Sequence, residues 1–316
     1  MKMLKLLGLQ LKVNFGISAL RWYLKNDPKR FLGSVGLAVL VIVSLSPILF
    51  VYAQMMQSAY VIAAGLGQPG IILASTVVLS SLMVLVFSLT YVMSVFYFSR
   101  DLSLLVSLPL LPRDILGAKF FVVLILDILT IAPFYLPSLL VFGVNSGAGL
   151  LYWVAGIFIF LLVPVVPLAL ASIFMLCLMS LVNLSRKKDT LQLIGLFLFL
   201  GALLFLNVYL TSIPAGEETD FLERILADEQ GLVRLTARAY PPALFAARAL
   251  SAGGGESLLN FLYFLGMSAA GLALLLLVGQ MIFYRGLVGG SEVQQGRALS
   301  REELAGITAG ALSPVW

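Results

Sequence analysis

The chain has 316 residues, of which 61% are hydrophobic and only 11% are charged, and its mean hydropathy is +1.06. Soluble domains carry about 25% charged residues, so this composition excludes a soluble globular protein and indicates an integral membrane protein. The net charge is +5, but the basic residues flank apolar runs, which argues against a nucleic-acid-binding protein.

The first 30 residues alternate leucine with lysine at helical spacing and end at Asn26-Asp27-Pro28. Trp22 and Tyr23 add aromatic side chains of the kind that membrane interfaces favour. We therefore predict that residues 1–30 form a basic amphipathic helix in the cytosolic headgroup layer, in contact with membrane lipids. The alternative is a plain topology signal, which requires no helix.

Six apolar segments are long enough to cross about 30 Å of hydrocarbon as helices, which predicts an all-α transmembrane domain over residues 31–284. The predicted spans are residues 31–53, 71–98, 120–143, 150–183, 190–212 and 258–284. Pro164 and Pro167 lie near the middle of the fourth segment. Splitting that segment into two spans would leave no residues for a turn, so we predict one kinked helix.

Loop charges predict the orientation of these spans. Loops on the side of the amino terminus hold 16 Lys and Arg residues, whereas the opposite loops hold 4, all within residues 213–257. The positive-inside rule therefore places both termini, including the tail at residues 285–316, in the cytosol of a multi-pass protein of the cytoplasmic membrane. The outside loop 213–257 contains YPPALFAARAL and is predicted to form short helices.

Motifs of known chemistry are absent from the sequence. It contains no G-x-x-x-x-G-K-[ST], no G-x-S-x-G, no H-E-x-x-H and no C-x-x-C. Histidine is absent and Cys177 is the single cysteine. We therefore predict no catalytic residue, no metal site and no cofactor bound by this chain, and we expect that it is not an enzyme.

Asp127 is an ionisable residue deep within the third predicted span, about eight residues from its cytosolic end. Ionisable residues inside membranes usually face the bundle interior and mark functional sites, although Asp127 could simply pair with hydroxyl groups of a neighbouring helix. Pro133 and Pro137 follow in the same span. Together with Pro164 and Pro167, they predict bendable helices in the third and fourth spans.

The segment FSRDLSLLVSLPLLPRDILGAK, residues 98–119, is apolar but too short to span the membrane between its charged ends. It predicts a short cytosolic helix over residues 101–111, parallel to the membrane surface, because Pro112 blocks its continuation. Its leucines could rest in the headgroup layer. Alternatively, they could fill a groove on a cytosolic partner.

The stretch RDLSLLVSLPLLPRDILGAK resembles the cytosolic loop of ATP-binding cassette (ABC) exporter permeases, six-span membrane subunits that work with a separate ATPase. The amphipathic amino-terminal helix, the outside helices and YPPALFAARAL add to this resemblance, which covers most of residues 1–290. In that family the loop after the second span is a coupling helix that seats in a cleft of the ATPase. The resemblance assigns this role to Arg100, Asp101, Leu104, Leu105, Leu108 and Pro109.

The resemblance implies a permease subunit of an exporter that moves an unidentified substrate. It implies a cytosolic P-loop ATPase partner that holds ATP and magnesium, and a second permease half as a homodimer, as a heterodimer or as a second half of the chain. Many related permeases continue into such a half, so the ending Ser313-Pro314-Val315-Trp316 predicts a half-length product or a truncation. Two other classes remain open: an ion-coupled secondary transporter or channel that uses Asp127, and a non-transporting membrane scaffold.

Overall fold

A computed structural model describes residues 6–8, 10–11, 17–97, 112–181 and 240–295. Within these residues the chain is helical and contains no β-strand. The prediction of an all-α protein is therefore confirmed for the part of the chain that the structure describes. The fifth predicted span at residues 190–212, most of the outside loop and the last part of the tail lie outside the described residues.

The first two helices meet at Asp27. Helix α1 runs over Ile17–Asn26, and helix α2 runs over Pro28–Gly65 with a proline at its first position, where the missing N–H is not needed. The Asp27 carboxylate accepts a hydrogen bond from the Arg30 N–H at 3.3 Å and pairs with the Arg30 side chain at 3.1 Å. This cap fixes the start of α2.

Helix α2 is longer than its predicted span at residues 31–53. Its 38 residues correspond to a length of about 57 Å, because no residue between 54 and 65 breaks the helix. The helix ends at Gly65 with Leu66 as its C-cap, and the next residue, Gly67, has φ +70°, which favours glycine. The predicted outside loop at residues 54–70 is therefore mostly helical.

The second and third spans form an antiparallel pair of helices. Helix α3 runs over Ile71–Val92 and continues as a π-helical turn over Met93–Tyr97. Helix α4 runs over Pro112–Asn145, so it begins eight residues before the predicted third span. Residues 98–111, which connect the two helices, lie outside the described residues.

The fourth apolar segment contains helices α5, Leu150–Leu162, and α6, Val165–Leu181. The break between them falls at Val163 and Pro164, where the proline ring removes a backbone donor. Hydrogen bonds from the Val163 N–H to the Ile159 carbonyl at 2.8 Å and from the Leu168 N–H to the Pro164 carbonyl at 2.9 Å continue the helical path on both sides. Residues Leu150–Cys177 therefore form one candidate span.

The last described helices are α7, Pro241–Ser251, and α8, Gly254–Gln295. Helix α7 packs on α3 and α8 through small side chains, among them Ala243, Ala246 and Ala247, which are buried. Burial raises the pKa of the phenol of Tyr240, at the start of α7, to about 12. Helix α8 continues beyond the sixth predicted span, residues 258–284, into the predicted tail.

Helices α3, α4, α6 and α8 pack together and form the core of the described bundle. Helix α2 packs mainly on α4, and apolar side chains such as Leu37 and Ile48 are more than half exposed. Five segments of the described residues are long and apolar enough to cross a membrane. They are Pro28–Gly65, Ile71–Phe96, Arg113–Asn145, Leu150–Cys177 and Gly254–Met281.

Candidate functional site

The predicted coupling residues cannot be placed in the structure. Arg100, Asp101, Leu104, Leu105, Leu108 and Pro109 all lie outside the described residues. The structure does describe the helices on either side of them, since α3 leads into residues 98–111 and α4 leads out. The candidate functional site therefore consists of the contacts between α3 and α4, which we call the α3–α4 seam.

Two side-chain hydrogen bonds join these helices in the middle of the bundle. The Ser88 hydroxyl on α3 donates to Oδ2 of Asp127 on α4 at 2.7 Å. The hydroxyl groups of Tyr91 on α3 and Thr130 on α4 lie 3.2 Å apart. The antiparallel arrangement brings Ser88 and Asp127 to the same depth, and their hydrogen bond fixes the register of the pair.

Asp127 is buried completely, and its second carboxyl oxygen, Oδ1, has no hydrogen-bond partner among the described residues. No ion pair of Asp127 occurs within those residues either. A carboxyl group in this setting can pair with a hydroxyl, as it does here, and can also hold a proton or another cation. The Ser88 contact is thus the one expected if Asp127 simply pairs with a hydroxyl group of a neighbouring helix.

Metal binding has no support in the described part of the chain. No group of three or more His, Cys, Asp or Glu side chains comes together there. Cys177 lies at the end of the fourth candidate span.

The structure also identifies a buried residue that the sequence analysis did not select. Lys119, which we counted among the charges of a cytosolic loop, is completely buried on α4, and its ammonium group donates a hydrogen bond to the Val95 carbonyl. Val95 belongs to the π-helical turn at the end of α3. The spacing of Leu116, Lys119, Val123 and Asp127 is that of one helix face, and this periodicity could have revealed that Lys119 points inward.

The four predicted kink prolines have different surroundings. Helix α4 continues through Pro133 and Pro137, whereas Pro164 lies in the break between α5 and α6 and Pro167 lies in the first turn of α6. Proline can be tolerated inside membrane helices because neighbouring groups satisfy the freed carbonyls. Near Pro137, the Tyr52 and Ser138 hydroxyl groups lie 3.2 Å apart and connect α2 to α4.

This arrangement is a helical bundle with five helices that could span a membrane and a polar seam between the second and third of them. Residues 30–309 match a family described as "Putative ATP-binding cassette", and the chain belongs to this family. The match includes all five candidate spans except the first two residues of the first. No curated protein and no solved structure matches the chain.

This family assignment corrects one prediction. From the missing motifs we expected that the chain is not an enzyme, but a family of ATP-binding cassettes suggests ATPase activity in this chain. The expectation relied on the missing motifs and on the resemblance to permeases that work with a separate ATPase, and the family match over most of the chain overrides it. An ABC transporter-related role is the functional assignment that follows from the family.

Proposed function

We propose that the chain is the membrane-spanning permease subunit of an ABC exporter in the cytoplasmic membrane. The observation that carries this proposal is the family match, because it extends over a chain whose described residues contain five candidate membrane spans. A protein that crosses the membrane this often is suited to form a translocation path, whereas a nucleotide-binding domain is suited to supply energy. In this proposal both termini are cytosolic, as the loop charges predict.

The proposed partners are a cytosolic P-loop ATPase subunit, which holds ATP and Mg²⁺, and a second permease half. A P-loop binds phosphates through its backbone N–H groups and a lysine. Membrane lipids contact the exposed apolar side chains of α2 and the basic amino-terminal segment. The substrate is an unidentified molecule.

In the proposed mechanism, the α3–α4 seam transmits movement from the cytosol into the membrane. Closure of the ATPase subunits around ATP would displace residues 101–111, which lie between the two helices in sequence. Because Ser88 and Asp127 join α3 to α4 within the bundle, both helices would respond together. Their movement would switch a central path between inward-facing and outward-facing states.

A second candidate function is ion-coupled transport through Asp127. The observation that favours it is the buried oxygen Oδ1, which has no hydrogen-bond partner among the described residues and is available to a proton or another cation. This candidate requires transport that follows an ion gradient without ATP. It also requires that the Asp127→Asn variant, which cannot release a proton, is inactive.

Substitutions in the predicted coupling helix test the proposed function. Leu104→Asp or Leu108→Asp would place a charge where an apolar side chain docks, so we expect about tenfold or greater loss of association with the ATPase subunit. The measurement is the amount of ATPase that co-purifies with each variant, normalised to the amount of membrane-inserted chain.

The matched control is Ser103→Asp, which adds the same charge to the other face of the predicted helix. This control should retain the ATPase. Equal retention by the leucine variants and the control would contradict the coupling role of these leucines. Equal loss from all three variants would show that charge, rather than a docking face, governs the association.

A further inference from the structure

A completely buried cation joins α4 to the cytosolic end of α3. Lys119 is 0% exposed, and its hydrogen bond reaches the Val95 carbonyl across the helix pair. Lysine is rarely buried to this extent unless its charge has a partner, since transfer of an ammonium group out of water is costly. The contact with Val95 therefore stabilises an otherwise unfavourable position.

The acceptor of this hydrogen bond lies in the π-helical turn Met93–Tyr97, which continues α3. A π-helical turn departs from the regular hydrogen-bond pattern of an α-helix. Lys119 thus adds a hydrogen bond and a positive charge at the point where the regular pattern of α3 changes.

The hydrogen bond between Lys119 and Val95 orients the π-helical turn relative to α4, which apolar packing alone does not do. Phe96 and Phe120 are completely buried on the same two elements, but apolar burial is non-directional and tolerates rotation of the helix end. A hydrogen bond to one carbonyl holds the π-helical turn at one rotation relative to α4. The Ser88–Asp127 bond lies about 12 Å further along α4 and does not constrain this end.

We propose that Lys119 is a positioning residue that makes the cytosolic ends of α3 and α4 move as one unit. This inference rests on the proposed function, in which these two helices receive the movement of the ATPase. Without Lys119, the end of α3 would rotate independently of α4, and ATP-driven displacement would reach only one of the helices.

Hydrogen exchange of backbone amides tests this role in the chain purified with its co-purifying ATPase in lipid nanodiscs. The variants are Lys119→Met, which removes the charge and the donor, and Lys119→Arg, which keeps both. Arg113→Met is the matched control, because it removes an exposed cation from the same end of α4. Each protein is measured alone and with ATP and vanadate.

In Lys119→Met, we expect the rate of amide exchange at residues 93–97 to rise about tenfold, because the loss of one net hydrogen bond makes local opening easier by about that factor. The rate of exchange around Ser88 should be unchanged. Lys119→Arg and Arg113→Met should exchange like the wild type. ATP and vanadate should alter exchange at residues 93–97 and 113–120 together in the wild type, but at only one of these segments in Lys119→Met.

Unchanged exchange at residues 93–97 in Lys119→Met would overturn the inference. An equal rise throughout all spans would also overturn it, because Lys119 would then support the fold in general. If ATP and vanadate alter neither segment in the wild type, the proposed function fails. The comparison of variants without nucleotide would still decide whether Lys119 holds the end of α3.

Discussion

At the scale of single residues, the contact between Ser88 and Asp127 explains how a carboxyl group is accommodated inside a membrane bundle. Asp127 is 0% exposed, and the Ser88 hydroxyl supplies its hydrogen bond at 2.7 Å. Polar contacts between membrane helices average only about 0.6 kcal/mol, because polar groups also find partners when the helices separate. The contact therefore fixes the register of α3 and α4 more than it adds stability.

A double-mutant cycle of Ser88→Ala and Asp127→Ala measures this contact. We expect a coupling free energy of about 0.6–1.7 kcal/mol, between the average and the maximum for interhelical contacts in membranes. The measurement is equilibrium unfolding in mixed detergent micelles of increasing dodecyl sulfate content. Ser88→Ala combined with Ser138→Ala is the control cycle, and its effects should be additive because Ser138 bonds to α2 instead. A zero coupling in the first cycle would contradict the contact.

At the scale of helices, α4 and α5 approach each other closely at Gly143. A Cβ atom at Gly143 would lie 2.7 Å from ring atoms of both Tyr152 and Trp153. Tyr152 cannot easily move away, since its hydroxyl donates to the Leu139 carbonyl at 2.8 Å and its ring stacks on Phe142. Glycine at position 143 thus permits the antiparallel packing of α4 on α5.

Gly143→Ala should therefore destabilise the bundle by about 1–3 kcal/mol, as overpacking of a rigid contact does. Gly266→Ala in α8 is the matched control, because no heavy atom lies within 4 Å of its added methyl group. The control should be stabilising by up to about 1 kcal/mol, since alanine favours helix over glycine. Both values come from the same detergent unfolding assay. A Gly143→Ala variant as stable as the control would contradict the close approach.

At the scale of the whole molecule, the sequence predicted the helices better than their contacts. Five predicted spans coincide with candidate spans because apolar length alone identifies a membrane helix. The carboxyl group of Asp127 stands out within an apolar run. Its partner Ser88 does not, because a single sequence does not reveal which residues of two helices face each other. We predicted Lys119 to be a loop residue because a basic residue near the end of a span is usually a loop charge. It is buried instead, and its burial depends on tertiary packing.

Short motifs were also insufficient to predict what the family assignment implies about enzymatic activity. The absence of a P-loop pattern predicted a chain without enzymatic activity, and the family of ATP-binding cassettes contradicts that prediction. A membrane bundle and an ATP-binding cassette family are compatible in an ABC transporter, where membrane movement and ATP hydrolysis are coupled. In the proposed function, the α3–α4 seam connects the two.

The most direct test of the proposed function is ATP hydrolysis by the protein purified from its native membranes into nanodiscs, with the composition of each particle determined by native mass spectrometry. We predict a P-loop ATPase chain in equal amount and vanadate-sensitive hydrolysis that requires both chains. Hydrolysis by this chain alone would contradict the proposed partner and place the activity here. Particles without an ATPase and without hydrolysis would contradict the proposal that ATP drives this membrane protein.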